Sequence, residues 1–212
     1  KSAQHVADVY ELAQLAFAHA EDVPDLDVIP LFEQLEDLEG CVEVLDKMLE
    51  LPAVQSRLAQ TNRKMEVMLG YSDSSKDAGP TTATLALHSA QGRIAQWAER
   101  NRIDLVMMHG RGGAVGLGGG PANRAVLAQP RGSVNCCFKV TEQGEVIFAR
   151  YGNPVLAQRH VESVAAATLL SSAPSIEHTN TQMTSEFAGV AKELDDAAHK
   201  SYLDLLNTDD FT

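Results

Sequence analysis

Apolar residues fall along the chain either at helical intervals or in short runs, and each pattern predicts an element. Residues 4–19 place Val6, Val9, Tyr10, Ala13, Ala16 and Phe17 at helical intervals. A polar loop with Pro24 follows, then DVIPLFE (27–33) predicts a short buried strand that Pro30 weakens by removing a ladder donor. Residues 36–50 set Leu38, Cys41, Val42, Leu45, Met48 and Leu49 on one face, which predicts an amphipathic helix. A shorter helix is predicted over 53–63, and EVMLGYS (66–72) predicts a strand entering a polar loop, SDSSKDAGP. Residues 81–101 are helical in pattern, with Leu87, Ala90, Ile94, Trp97 and Ala98 inward. IDLVMM (103–108) predicts a third strand, running into HGRGGAVGLGGGP.

The later chain is less regular. SVNCCFKVTEQGEVIFAR (133–150) reads as two β runs around Glu142, Gln143 and Gly144. Residues 154–170 and 185–206 read as helices separated by a loop, SSAPSIEHTNTQ, the last helix turning Phe187, Val190, Ala191, Leu194 and Ala198 inward. Short apolar strands alternating with helices predict βαβ units and a parallel sheet, hence an α/β fold. Each of the three strands is followed by a polar, chemistry-bearing stretch. In parallel α/β folds such stretches collect at the carboxyl ends of the strands.

Composition narrows the function classes. The chain has 212 residues, 44% of them hydrophobic, which is ample for a core. Its 17 Lys+Arg against 29 Asp+Glu give a formal charge of −12, which argues against nucleic-acid and anionic-membrane partners. No run approaches the roughly 18 apolar residues of a membrane span, and the first residues lack a secretory pattern. Cys41, Cys136 and Cys137 offer no zinc spacing and are expected as reduced thiols of a cytoplasmic protein.

Four stretches can carry chemistry. Tyr71–Gly79 holds Asp73, Asp77, Lys76 and three serines, a set suited to an oxygen-ligated divalent cation beside an anionic substrate. The plainer alternative is a capped turn. His109–Pro121 combines glycines, whose backbone can wrap an anion, with the planar cation of Arg111 and a possible proton donor in His109. It is neither a Walker A loop nor a clean GxGxxG, and a flexible surface loop is the alternative. Glu33 ends its strand, and in a parallel sheet it emerges beside Asp73 and His109. Thr141–Glu145 is a polar turn or a rim of the same pocket. His5, His19, His88, His160, His178 and His199 read as surface or satisfied histidines.

VMLGYSDSSKDAG (67–79), HGRGGAVGLGGGP (109–121) and VTEQGEVI (140–147) resemble three segments of phosphoenolpyruvate carboxylase, and DVIPLFEQLEDL (27–38) resembles the segment before them. The family is several times longer than this chain. The resemblance implies a helix-rich, partial (β/α)8 TIM-type barrel with parallel strands and extra helices: residues 1–152 as part of the catalytic barrel and 153–212 as a helical extension. It implies the joining of phosphoenolpyruvate and bicarbonate to give oxaloacetate and phosphate, with Mg²⁺ or Mn²⁺. It further implies metal-binding carboxylates at Glu33 and Asp73, catalytic roles for Lys76, His109 and Arg111, and substrate binding by Lys76, Arg111, Gly112 and Gly113.

The resemblance is not complete. Leu117 stands where the family usually has an arginine of the glycine loop, which weakens anion binding there. Cys136, Cys137, Lys139 and Met108 also depart from the usual residues. The family's catalytic histidine segment is absent from this sequence, so the chain alone is expected to turn over little substrate, and a homotetramer is expected of the parent enzyme. The competing reading is a divalent-metal and phosphate-anion binding module without turnover.

Overall fold

The computed structural model describes residues 2–110, 122–141 and 144–208. Among these, the strands β1 (Leu31–Phe32), β2 (Lys64–Gly70), β3 (Asp104–Gly110) and β4 (Lys139–Val140) form one sheet in the order β1-β2-β3-β4. Every pairing is parallel. Leu31 lies beside Met68 and Phe32 beside Leu69. Lys64 to Gly70 match Asp104 to Gly110 residue for residue, and Met108 and His109 match Lys139 and Val140. Sequential order with no reversal is the arrangement of a barrel wall rather than of a doubly wound sheet.

Helices supply the crossovers. Between β1 and β2 lie α2 (Leu35–Glu39), α3 (Cys41–Leu49) and α4 (Pro52–Gln60). Between β2 and β3 lie α5 (Ser72–Ala78) and α6 (Pro80–Asn101). The chain opens with α1 (Ala3–Ala16), places α7 (Ala122–Leu127) before β4, and closes with α8 (Gly144–Tyr151), α9 (Pro154–Ser171), α10 (Pro174–Glu186) and α11 (Ala188–Leu206). The sheet, α3 and α6 enclose the core. Phe32, Leu38, Cys41, Leu45, Met48, Leu69, Ile94 and Trp97 are fully buried. Each such large apolar side chain contributes about 1.5–3 kcal/mol relative to exposure. The Trp97 indole N–H donates to Asp46 Oδ1 at 2.7 Å, so the largest core side chain carries no orphaned donor. Arg93 donates to the Leu38 and Glu39 carbonyls at 2.7 Å each, covering the open end of α2 from α6.

The structure corrects several local expectations. The strand foreseen over 27–33 shrinks to two residues. Pro30 supplies only its carbonyl, which accepts the Met68 N–H at 2.9 Å, while Asp27 turns aside to a fork from Arg57. The helix foreseen over 36–50 breaks into α2 and α3 at Gly40, whose backbone leaves helical geometry at ψ 4°. The polar loop after β2 is the helix α5: the Ser74 and Ser75 hydroxyls bond back to the Gly70 and Tyr71 carbonyls instead of opening a turn. The two β runs of 133–150 resolve into β4 and the helix α8. The loop foreseen at 171–182 is mostly α10, which Pro174 opens at its first turn. In α11, Ala191 and Ala198 are half-buried, but Phe187, Val190 and Leu194 are exposed, at 47%, 62% and 53%. The covered stripe runs instead through Asp195, His199 and Tyr202.

Candidate functional site

Parallel pairing brings the ends of β1, β2 and β3 to one edge of the sheet, and the chemistry-bearing residues follow from that. Glu33 leaves β1 directly after the buried Phe32. It crosses the end of β2 so closely that a Cβ on Gly70 would lie 2.5 Å from Glu33 Cβ and 3.2 Å from its Cα. Only a glycine at 70 leaves room for that approach. Glu33 is half-buried. Asp73 lies in the first turn of α5, three residues beyond Gly70, and its side chain is 55% exposed.

Lys76 sits one turn further along α5, with its ammonium 3.2 Å from Asp73 Oδ1. Both partners are solvated, and such a pair is worth at most about 1 kcal/mol. It holds Lys76 near the carboxylate without committing it, so an incoming anion can compete for the ammonium.

His109, read from the sequence as a proton donor or a neutral hydrogen-bond partner, lies within β3. It is 1% exposed on β3. Its Nδ1 lies 2.7 Å from the Tyr71 hydroxyl, and its ring stacks on Phe138 with centroids 4.7 Å apart. Tyr71 also receives the Gln91 side-chain amide at 3.4 Å. Tyr71 and Phe138 therefore fix this histidine, with Gln91 bonded to Tyr71; Tyr71 belongs to the polar cluster read from the sequence, whereas neither Phe138 nor Gln91 was singled out there. The adjacent Thr141 N–H donates to the His109 carbonyl at 3.1 Å, so the segment after β4 leaves the sheet at the same edge. Arg111, Gly112 and Gly113, with Leu117, Glu142 and Gln143, lie outside the described residues.

Two further contacts hold α5 in place. Asp77 Oδ2 accepts the Leu35 N–H at 2.9 Å, joining α5 to the segment that carries Glu33. Tyr202 of α11 donates its hydroxyl to the Lys76 carbonyl at 2.7 Å. Its ring lies where a Cβ on Gly79 would stand, 2.8 Å from Tyr202 Cγ, and Gly79 has a φ of +83°. Glycine is required at 79 by both the backbone and the ring. Tyr202 escapes sequence reading because its partner is 126 residues away.

The donor set suits one kind of ion. Glu33 and Asp73 offer hard carboxylate oxygens. Among the described residues, no group of three or more His, Cys, Asp and Glu is placed to hold a metal ion. Mg²⁺ uses one or two carboxylates and completes its shell with water and substrate oxygens. Carboxylates that follow two neighbouring parallel strands fit that habit, and Gly70 leaves room for the close approach of Glu33 to the end of β2. Among the described residues, no helix is long and apolar enough to cross a membrane.

Comparison with known proteins adds the family. The model of the family described as phosphoenolpyruvate carboxylase matches residues 1–212. The phosphoenolpyruvate carboxylase of Mycobacterium leprae is 40% identical over 215 residues, covering 98% of this chain and 23% of that protein. That of Azoarcus sp. is 41% identical over 206 residues, covering 95% and 22%. That of Roseiflexus castenholzii is 50% identical over 144 residues, covering 68% and 15%. The chain thus spans less than a quarter of the length of these relatives.

Proposed function

Because the chain belongs to the phosphoenolpyruvate carboxylase family, we propose that it forms part of an enzyme that joins phosphoenolpyruvate and bicarbonate into oxaloacetate and phosphate. The observation that supports this reading best is the approach of Glu33 to Gly70, which sets its carboxylate at the strand end from which Asp73 follows. Glu33 and Asp73 are the residues that hold Mg²⁺ or Mn²⁺. A divalent ion there supplies positive charge that offsets the charge developing on a phosphorylated acid.

The chain's own residues do the rest. Lys76 exchanges its weak pairing with Asp73 for the substrate anion, and Arg111, Gly112 and Gly113 grip the phosphate from the glycine-rich segment. Arg111 suits that task because its guanidinium stays charged and binds two oxygens at once. His109 shares the catalytic work, its ring held at the end of β3 by the Tyr71 hydroxyl and the face of Phe138. Segments beyond these residues complete the barrel, the carboxylation step and a homotetramer, and the enzyme works in the cytoplasm.

Calorimetric titration of the chain tests the reading. One Mn²⁺ is expected to bind, and phosphoenolpyruvate is expected to bind measurably only after it. Mn²⁺ binding without any phosphoenolpyruvate binding removes the substrate assignment. Absence of Mn²⁺ binding removes the metal assignment.

A further inference from the structure

Asp77 has no place in the roles assigned above, yet its contact bears on them. It lies four residues after Asp73 on α5, so the two carboxylates share one helix face, a turn apart. Its Oδ2 accepts the Leu35 N–H at 2.9 Å. Leu35 is the first residue of α2, two positions after Glu33, and its amide is one of the donors that a helix start leaves without an internal partner. The Gln34 and Asp37 amides are met locally by each other's side chains, whereas the Leu35 amide is met by Asp77 from another element. Glu33 is thereby held from two directions. Phe32 is locked beside Leu69 in the ladder on one side, and Leu35 is tied to α5 on the other.

We propose that Asp77 is a positioning residue for the divalent-ion pair: by tying the Leu35 amide to α5, it sets the separation between Glu33 and Asp73. The proposal rests on the reading that Glu33 and Asp73 hold the ion. One face of one short helix then does two jobs, offering Asp73 to the ion and anchoring the backbone that delivers Glu33. Groups that orient a metal ligand typically change affinity by about 10- to 100-fold when removed.

The test is Mn²⁺ titration of the full 212-residue chain, followed by the electron paramagnetic resonance signal of the free ion, with circular dichroism confirming the fold of each variant. Asp77→Ala is expected to weaken Mn²⁺ binding about 10- to 100-fold. Asp77→Asn keeps an oxygen acceptor for the Leu35 amide and is expected to retain wild-type affinity. Leu35→Pro removes the donor from the other side, at a first-turn position that tolerates proline, and is expected to weaken binding as Asp77→Ala does. It also serves if Asp77→Ala fails to fold. Wild-type affinity in Asp77→Ala or in Leu35→Pro overturns the proposal. So does an Asp77→Asn as weak as Asp77→Ala, which marks Asp77 as a direct ligand. Absence of Mn²⁺ binding by the wild-type chain defeats the metal pair itself, and the proposal with it. The other failures leave that pair standing.

Discussion

Gly70→Ala is the sharpest perturbation of the site that leaves every charged group in place. The new Cβ would lie 2.5 Å from Glu33 Cβ and 3.2 Å from Glu33 Cα. Ordinary carbon–carbon contacts fall at about 3.5–4.0 Å, so one side must yield by about 1 Å. Glu33 has little freedom to do so, because Phe32 is fully buried in the ladder and Leu35 is tied to Asp77. Overpacking of this kind costs about 1–3 kcal/mol. It also moves the Glu33 carboxylate by several times the ~0.2 Å within which metal–ligand distances are normally met. The expected result is a lower urea midpoint by circular dichroism together with at least a tenfold loss of Mn²⁺ affinity. Gly92→Ala is the control. It makes the same chemical change inside α6, where the Cβ meets Pro130 Cβ at an ordinary 3.6 Å. Helix propensity predicts that this variant gains about 0.5–1 kcal/mol with metal binding untouched. A Gly70→Ala chain with wild-type stability and wild-type Mn²⁺ affinity would refute the crowding argument.

Three other outcomes follow from the same contacts. Asp46→Ala leaves the buried Trp97 indole N–H without its acceptor, so stability falls by about 1–3 kcal/mol in urea melts followed by the emission of the chain's one tryptophan; an unchanged midpoint contradicts this. Lys76→Met leaves the fold intact, since its ion pair with Asp73 is exposed, but weakens phosphoenolpyruvate binding by about 10- to 100-fold, the worth of one charge-assisted hydrogen bond; calorimetry in the presence of Mn²⁺ reads it, and equal affinity opposes it. Burial holds His88 below its usual imidazole range, so the unfolded chain takes up that proton first as pH falls. Stability is therefore full above about pH 6.5 and declines below it, through the lowered native value, and His88→Gln flattens that decline in urea midpoints taken from pH 7.5 to 5; identical slopes would count against it.

How much of this was legible depends on the range of the interactions involved. The apolar runs of β2 and β3 and the face of α6 were readable because each is buried against the same core. The sequence also placed Glu33, Asp73 and His109 after parallel strands, which is enough to send them to one edge. Local polarity misled at α5 and α10. Serine, aspartate and threonine favour turns when isolated, yet here Ser74, Ser75, Thr179 and Thr181 bond back to carbonyls one turn earlier. Periodicity identified α11 as amphipathic but not which stripe would be covered. That depends on Tyr202 meeting Lys76 and Gly79, contacts between distant parts of the chain. The burial of His109 was hidden for the same reason, since Tyr71 and Phe138 reach it from two separate segments and Gln91 bonds to Tyr71 from a third.

The account turns on whether two acidic side chains from neighbouring strands serve one ion. Crystals of the chain grown with Mn²⁺ and measured at the manganese absorption edge answer that directly. The account predicts a single strong anomalous peak at the strand ends, within coordinating distance of both the Glu33 and the Asp73 carboxylates, that disappears in Asp73→Asn. A peak elsewhere, or one touching only one of the two, would contradict it.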